Sequence, residues 1–204
     1  MTRSQDKEIA TVADPFRSQG DVDENACIDN WMEFNQLAMC YIRSADALVT
    51  SALEDHNLLD VHTYAVCFLY RHGLELILKD MVWKSHYLLT GTKRFVLSDW
   101  QELGRHRLND LWKQGRADTE KVLDDDMPVN AIADEQVTQL LIQFERHDPD
   151  SYSFRYPIGK KTGRTHADLM NVNLRVLREC VQQAFDRVET LLGCIDYCCE
   201  HQSD

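Results

Sequence analysis

The sequence predicts an all-α protein, an up-and-down bundle of about five helices with a small β-hairpin or extended element near residues 151–166. Two observations carry this reading. The first is the stretch Phe68 to Trp83, FLYRHGLELILKDMVW, in which Leu69, Leu74, Leu76, Ile77, Leu78, Met81 and Trp83 cover most of the circumference of a helix. A helix that is apolar almost all round belongs in the middle of a bundle. The second is the recurrence of apolar residues at spacings of three and four over long runs on both sides of it, as in Trp31, Phe34, Ala38, Tyr41, Ala45, Leu48 and Ala52.

Taken in order, residues 1–28 are polar and acidic and predict a flexible N-terminal arm, leaving residues 29–204 as one helical domain. Asp29 and Asn30 offer caps for a first helix ending near Asp55. The short link HNLLD makes the second helix, about Val61 to Leu89 and closed by Gly91, its antiparallel neighbour. A short third helix is expected over HRLNDLW, His106 to Trp112, with Gly115 as its stop. The acidic run Asp124 to Asp126 reads as a loop before a fourth helix, about Ala131 to Arg146. After the turn signal Asp148, Pro149, Asp150 the period changes to two. Tyr152, Phe154 and Tyr156 alternate with Ser153 and Arg155, and Gly159 to Gly163 supplies a turn, so a hairpin is expected there. Asp168 is the expected cap of a last helix whose apolar line runs from Met170 to Ile195.

A net charge of -12 works against a broad nucleic-acid or anionic-membrane surface, although a local basic pocket is compatible with it. No apolar run reaches the roughly 18 residues needed to span a bilayer, and the first ten residues lack a signal-peptide core, so the expectation is a cytoplasmic protein with no membrane partner. Seven cysteines, several at apolar helical positions, suit reduced core thiols. Cys194 and Cys198 are one helical turn apart with Cys199 and His201 nearby, but no second pair stands at ligand spacing. Neither a metal nor a cofactor is expected.

The candidate site lies on the second helix. His72, Glu75 and Lys79 fall on one face, and Arg71 borders it. Such a set can hold a phosphate or move a proton through His72, whose ordinary pKa is near 6.5. The plainer reading is a solvated stripe in which Glu75 and Lys79 make a helix pair worth about 0.3–0.5 kcal/mol. His106, flanked by Arg105 and Arg107, stands at an expected helix N-terminus that attracts anions. Its alternative role is a capping or packing histidine. Arg155, beside Tyr156, has a planar fork suited to clamping a phosphate, or to pairing with Asp148, Asp150 or Glu75. The basic turn of Lys160, Lys161, Arg164 and His166 is more simply a solvated loop tip. No phosphate-cradling glycine loop, nucleophile elbow or zinc-hydrolase helix motif is present.

Three stretches, YRHGLELILKDMV (Tyr70 to Val82), GRHRLNDLW (Gly104 to Trp112) and DPDSYSFRYP (Asp148 to Pro157), in this order, resemble a bacterial branch of the HEPN superfamily, the higher eukaryote and prokaryote nucleotide-binding domains. The resemblance spans about Trp31 to Glu200. It implies a five-helix bundle, a homodimer, and RNA or nucleotide binding in a group rich in toxins and defence ribonucleases, with an antitoxin or nucleotidyltransferase as partner. Ribonuclease members carry an Arg, four to six residues, then a His, and cleave RNA without metal. No His of this chain has an Arg at that distance upstream: Arg155 to His166 is too long and Arg164 to His166 too short. Catalysis would therefore need a displaced site, with His72, His106 and Arg155 as catalytic groups and Arg71, Glu75, Lys79 and Tyr156 binding substrate. The other expectation is a non-catalytic structural or regulatory homodimer in which the same polar residues form a buried ion-pair network.

Overall fold

The computed structural model describes residue 26 and residues 32–91, 107–123, 128–156 and 171–201, together with the backbone of 158–159 and 163–164. Among the described residues five α-helices follow one another: α1 (Phe34–Glu54), α2 (Leu59–Thr90), α3 (Leu108–Leu123), α4 (Ala131–His147) and α5 (Leu174–His201), with a 3₁₀ turn (His56–Leu58) between α1 and α2. The architecture is the expected all-α bundle. Two two-residue strands, β1 (Ile158–Gly159) and β2 (Gly163–Arg164), pair antiparallel. The chain divides into two units, Met1–Met32 and Glu33–Asp204, and every described helix belongs to the second. The expected N-terminal arm, the caps Asp29 and Asn30, the cap Asp168, and His106 lie outside the described residues, as does most of the basic turn.

Helix α2 is the axis of the fold, packing against α1, α3 and α5. Its core side chains, among them Tyr70, Leu74, Ile77, Leu78 and Met81, are fully buried, which is what near-complete apolar coverage requires. It ends where Gly91 adopts a left-handed φ of 68° and donates its N–H to the Tyr87 carbonyl at 2.8 Å. The flanking helices are amphipathic, and α1 buries Ala38, Ile42, Ala45, Val49 and Ala52 along one stripe. No described helix is long and apolar enough to cross a membrane.

Three boundaries differ from expectation. The first helix starts at Phe34, because the Gln36 carboxamide oxygen reaches back to accept the Glu33 N–H at 3.0 Å. The third continues through Gly115 to Leu123. Gly115 does not stop it: a Cβ there would lie 2.3 Å from Met81 Cε, so the missing side chain lets α3 approach α2. The last helix starts at Leu174, with the Asn173 carboxamide oxygen accepting the Val176 N–H at 3.1 Å, in the role expected of Asp168.

Candidate functional site

The segment between α4 and β1 is a chain of turns over residues 149–155, not the strand that the alternating aromatics suggested. The reason is Asp148. Its Oδ1 accepts the backbone N–H groups of Tyr152 (2.6 Å) and Ser153 (2.7 Å), folding the chain back on itself. Ser151 takes a positive φ of 53° at the bend. In this tight form Tyr152 and Tyr156 stack, ring centres 4.3 Å apart and planes 27° from parallel.

Asp148 is itself fully buried and is anchored by α2. Arg71, also fully buried, donates through Nε to the Asp148 carbonyl at 2.9 Å and stands 3.4 Å from Asp148 Oδ2. The other side of its guanidinium pairs with Glu75 Oε2 at 3.0 Å, and Lys79 Nζ meets Glu75 Oε1 at 2.6 Å. Arg71, Glu75 and Lys79 thus form a line down α2 that ends on the turn segment. Its burial excludes the solvated stripe: the Glu75 side chain is 2% exposed and that of Lys79 12%. A buried carboxylate between two cations satisfies the rule that interior charge must be paired.

The outer layer is made by residues adjacent to this network. His72 is half-buried, its ring parallel to that of Phe68 (5.7 Å, 8°) and edge-on to Tyr41 (4.6 Å, 84°). Burial pushes its pKa below the usual 6.5; Glu75 pulls the other way, and Lys79, Arg71 and Arg155 add to the depression. A neutral imidazole at neutral pH can accept a proton. Arg155 is exposed, donates to the Ser151 carbonyl, and carries its guanidinium over the rings of Phe68 (5.6 Å) and Tyr156 (5.8 Å). Tyr156 is 47% exposed. The carboxylate network expected to hold Arg155 is instead held by Arg71.

Six of the seven residues singled out in the sequence, Arg71, His72, Glu75, Lys79, Arg155 and Tyr156, therefore belong to one assembly, split into a buried tier and an exposed tier. No protein-family model matches the chain, and no curated protein or solved structure matches it. The site is defined by its own geometry.

Sequence reasoning missed three contributors. Asp148 read as a turn former, and its second role as the counter-charge of Arg71 has no local signature. Phe68 falls in the same helical sector as His72, Glu75 and Lys79, but its ring stack on His72 and its contact with Arg155 were not read from that placement. Tyr41 comes from α1, and only the docked helices bring it to His72. Among the described residues, no three His, Cys, Asp or Glu side chains converge to hold a metal ion.

Proposed function

We propose that the exposed tier is a binding surface for RNA or a nucleotide, and that the buried tier holds it in shape. The observation that carries this reading is the Arg155 guanidinium, exposed and laid over Phe68 and Tyr156 beside a largely neutral His72. Aromatic faces accept unstacked bases irrespective of sequence, at about 1–3 kcal/mol per base, and a planar guanidinium takes a phosphate bidentately. A local cation in an acidic chain suits one or two nucleotides better than a long duplex, whose affinity needs many phosphate contacts. The resemblance to HEPN proteins points the same way. It adds a homodimer, a toxin or defence setting and an antitoxin or nucleotidyltransferase partner to the proposal.

In a metal-independent cleavage, His72 would take the 2'-hydroxyl proton as that oxygen bonds to phosphorus, Arg155 would meet the charge developing there, and the 5'-oxygen would leave with a proton from water, giving a 2',3'-cyclic phosphate. Glu75, Lys79 and Arg71 would act as positioning residues. The alternative reading, a non-catalytic structural or regulatory homodimer, draws its support from the burial of Arg71, Glu75 and Asp148.

Fluorescence polarisation with a labelled single-stranded RNA, and cleavage of the same RNA in EDTA, separate the two readings. The expected result for Arg155→Ala is at least tenfold weaker binding, with a melting temperature within about 2 °C of the parent because the side chain is exposed. An Arg155→Ala chain that binds as well as the parent, or a parent that binds no RNA or nucleotide at all, leaves the structural dimer.

A further inference from the structure

A second feature lies behind the turn segment. Cys67, Leu140, Phe144, Phe154 and Leu177 wall a cavity of about 230 Å³ between α2, α4 and the start of α5. Cys67 and Phe154 immediately precede Phe68 and Arg155, so the cavity and the exposed tier lie along the same two segments of chain. The walls are apolar, and burial pushes the Cys67 thiol up to about 12, which keeps it uncharged. The cavity's polar lining groups are Gln143, His147, Asn171 and Asn173, of which Gln143 and the two asparagines are exposed and mark the mouth. Val176, 51% exposed, stands at the same mouth. No Lys, Arg, Asp or Glu is among these lining residues.

The dimensions and chemistry select a ligand class. An apolar cavity of about 150 Å³ takes one benzene ring, so this one has room for a second fused ring. A charged ligand would lose its hydration with no counter-charge in the wall, whereas a neutral one would not. An aromatic body restores the dispersion contacts that empty space denies the wall. We propose that this cavity binds a small neutral aromatic molecule, up to two fused rings, with one hydrogen-bonding group turned to the carboxamide and imidazole groups at the mouth. The proposal does not rest on the nucleotide reading, since neither its probe nor its readout involves nucleic acid.

The test is a titration of the full chain with 2-naphthol, followed by the methyl resonances of Leu140 and Leu177 and by thermal melting, with 2-naphthoate as the charged comparison. Expected are saturable shifts at both leucines, a melting temperature that rises with ligand concentration, and at least tenfold weaker binding of 2-naphthoate. Val176→Trp, which closes the mouth from an exposed position, and Cys180→Phe, which fills the cavity from its α5 wall, should each weaken 2-naphthol at least tenfold. Absence of saturable shifts at Leu140 and Leu177, equal binding of 2-naphthoate, or parental affinity in a folded Val176→Trp or Cys180→Phe chain overturns the proposal.

Discussion

Replacing Arg71 with Met tests whether the line from Lys79 to Asp148 is a structural element. The substitution keeps most of the aliphatic stem and removes three interactions: the 2.9 Å bond to the Asp148 carbonyl, the 3.4 Å approach to Asp148 Oδ2 and the 3.0 Å pair with Glu75. Glu75 keeps Lys79 at 2.6 Å. Asp148 keeps the two N–H groups on Oδ1, but Oδ2, which has no hydrogen-bond partner, loses the nearby guanidinium in a fully buried position. Breaking a buried pair by removing one member costs about 3–5 kcal/mol. Because only one of the two carboxylates is stranded, the lower end, about 3 kcal/mol, is expected. For a chain of this size that corresponds to a melting temperature about 6–12 °C lower. Urea unfolding of the parent, Arg71→Met, Asp148→Asn and the double variant closes the thermodynamic cycle. The amide of Asp148→Asn still accepts both N–H groups while removing the stranded charge, so the double variant should recover about 1–2 kcal/mol relative to the sum of the singles. A loss below about 1 kcal/mol in Arg71→Met, or strict additivity in the double variant, would refute the assignment of this line as a coupled buried network.

Two further outcomes follow from local geometry. Gly91→Ala forces an L-residue to a φ of 68° at the end of α2 and should cost about 1 kcal/mol in urea unfolding. His72→Phe keeps a ring between Phe68 and Tyr41 and removes the titration. Above the ordinary value of 6.5, His72 is neutral in folded and unfolded chains and contributes no pH dependence. As the pH falls below 6.5 the unfolded chain takes up the proton first, so the parent loses stability until the pH drops beneath the depressed folded value. Urea midpoints of His72→Phe should therefore fall less steeply than the parent's as the pH drops from 6.5, and parallel curves would mean that His72 is not desolvated.

Much of the bundle was readable from periodicity and caps. Helix α2 stands out because its apolar residues cover nearly all faces, and Gly91 marks its end because a left-handed residue is needed there. Gly115 misled for a related reason: glycine signals both a helix stop and a close helix contact, and only the position of Met81 distinguishes them. The alternation of Tyr152, Phe154 and Tyr156 has the period of a strand, yet Asp148 captures two backbone N–H groups and turns the segment before any ladder can form. The polar face of α2 was legible as a set of residues but not as buried or solvated, because the counter-charge that makes burial affordable comes from a residue far along the chain. His72 and Arg155 were both named, and Phe68 shares the helical sector of His72, whereas its contact with Arg155 depends on where the distant turn segment docks.

The bond between Arg71 and Asp148 closes a gap of 77 residues. Loop closure over such a distance is entropically unfavourable until other contacts have drawn the ends together, so this bond belongs to the late part of folding. Helices α1 and α2 can associate through neighbouring sequence, and Asp148 bends the turn segment locally, but that segment is anchored only after α4 has been delivered to α2. The surface formed by Arg155, Tyr152 and Tyr156 is consequently absent from a nascent chain that has not yet extended past Tyr156.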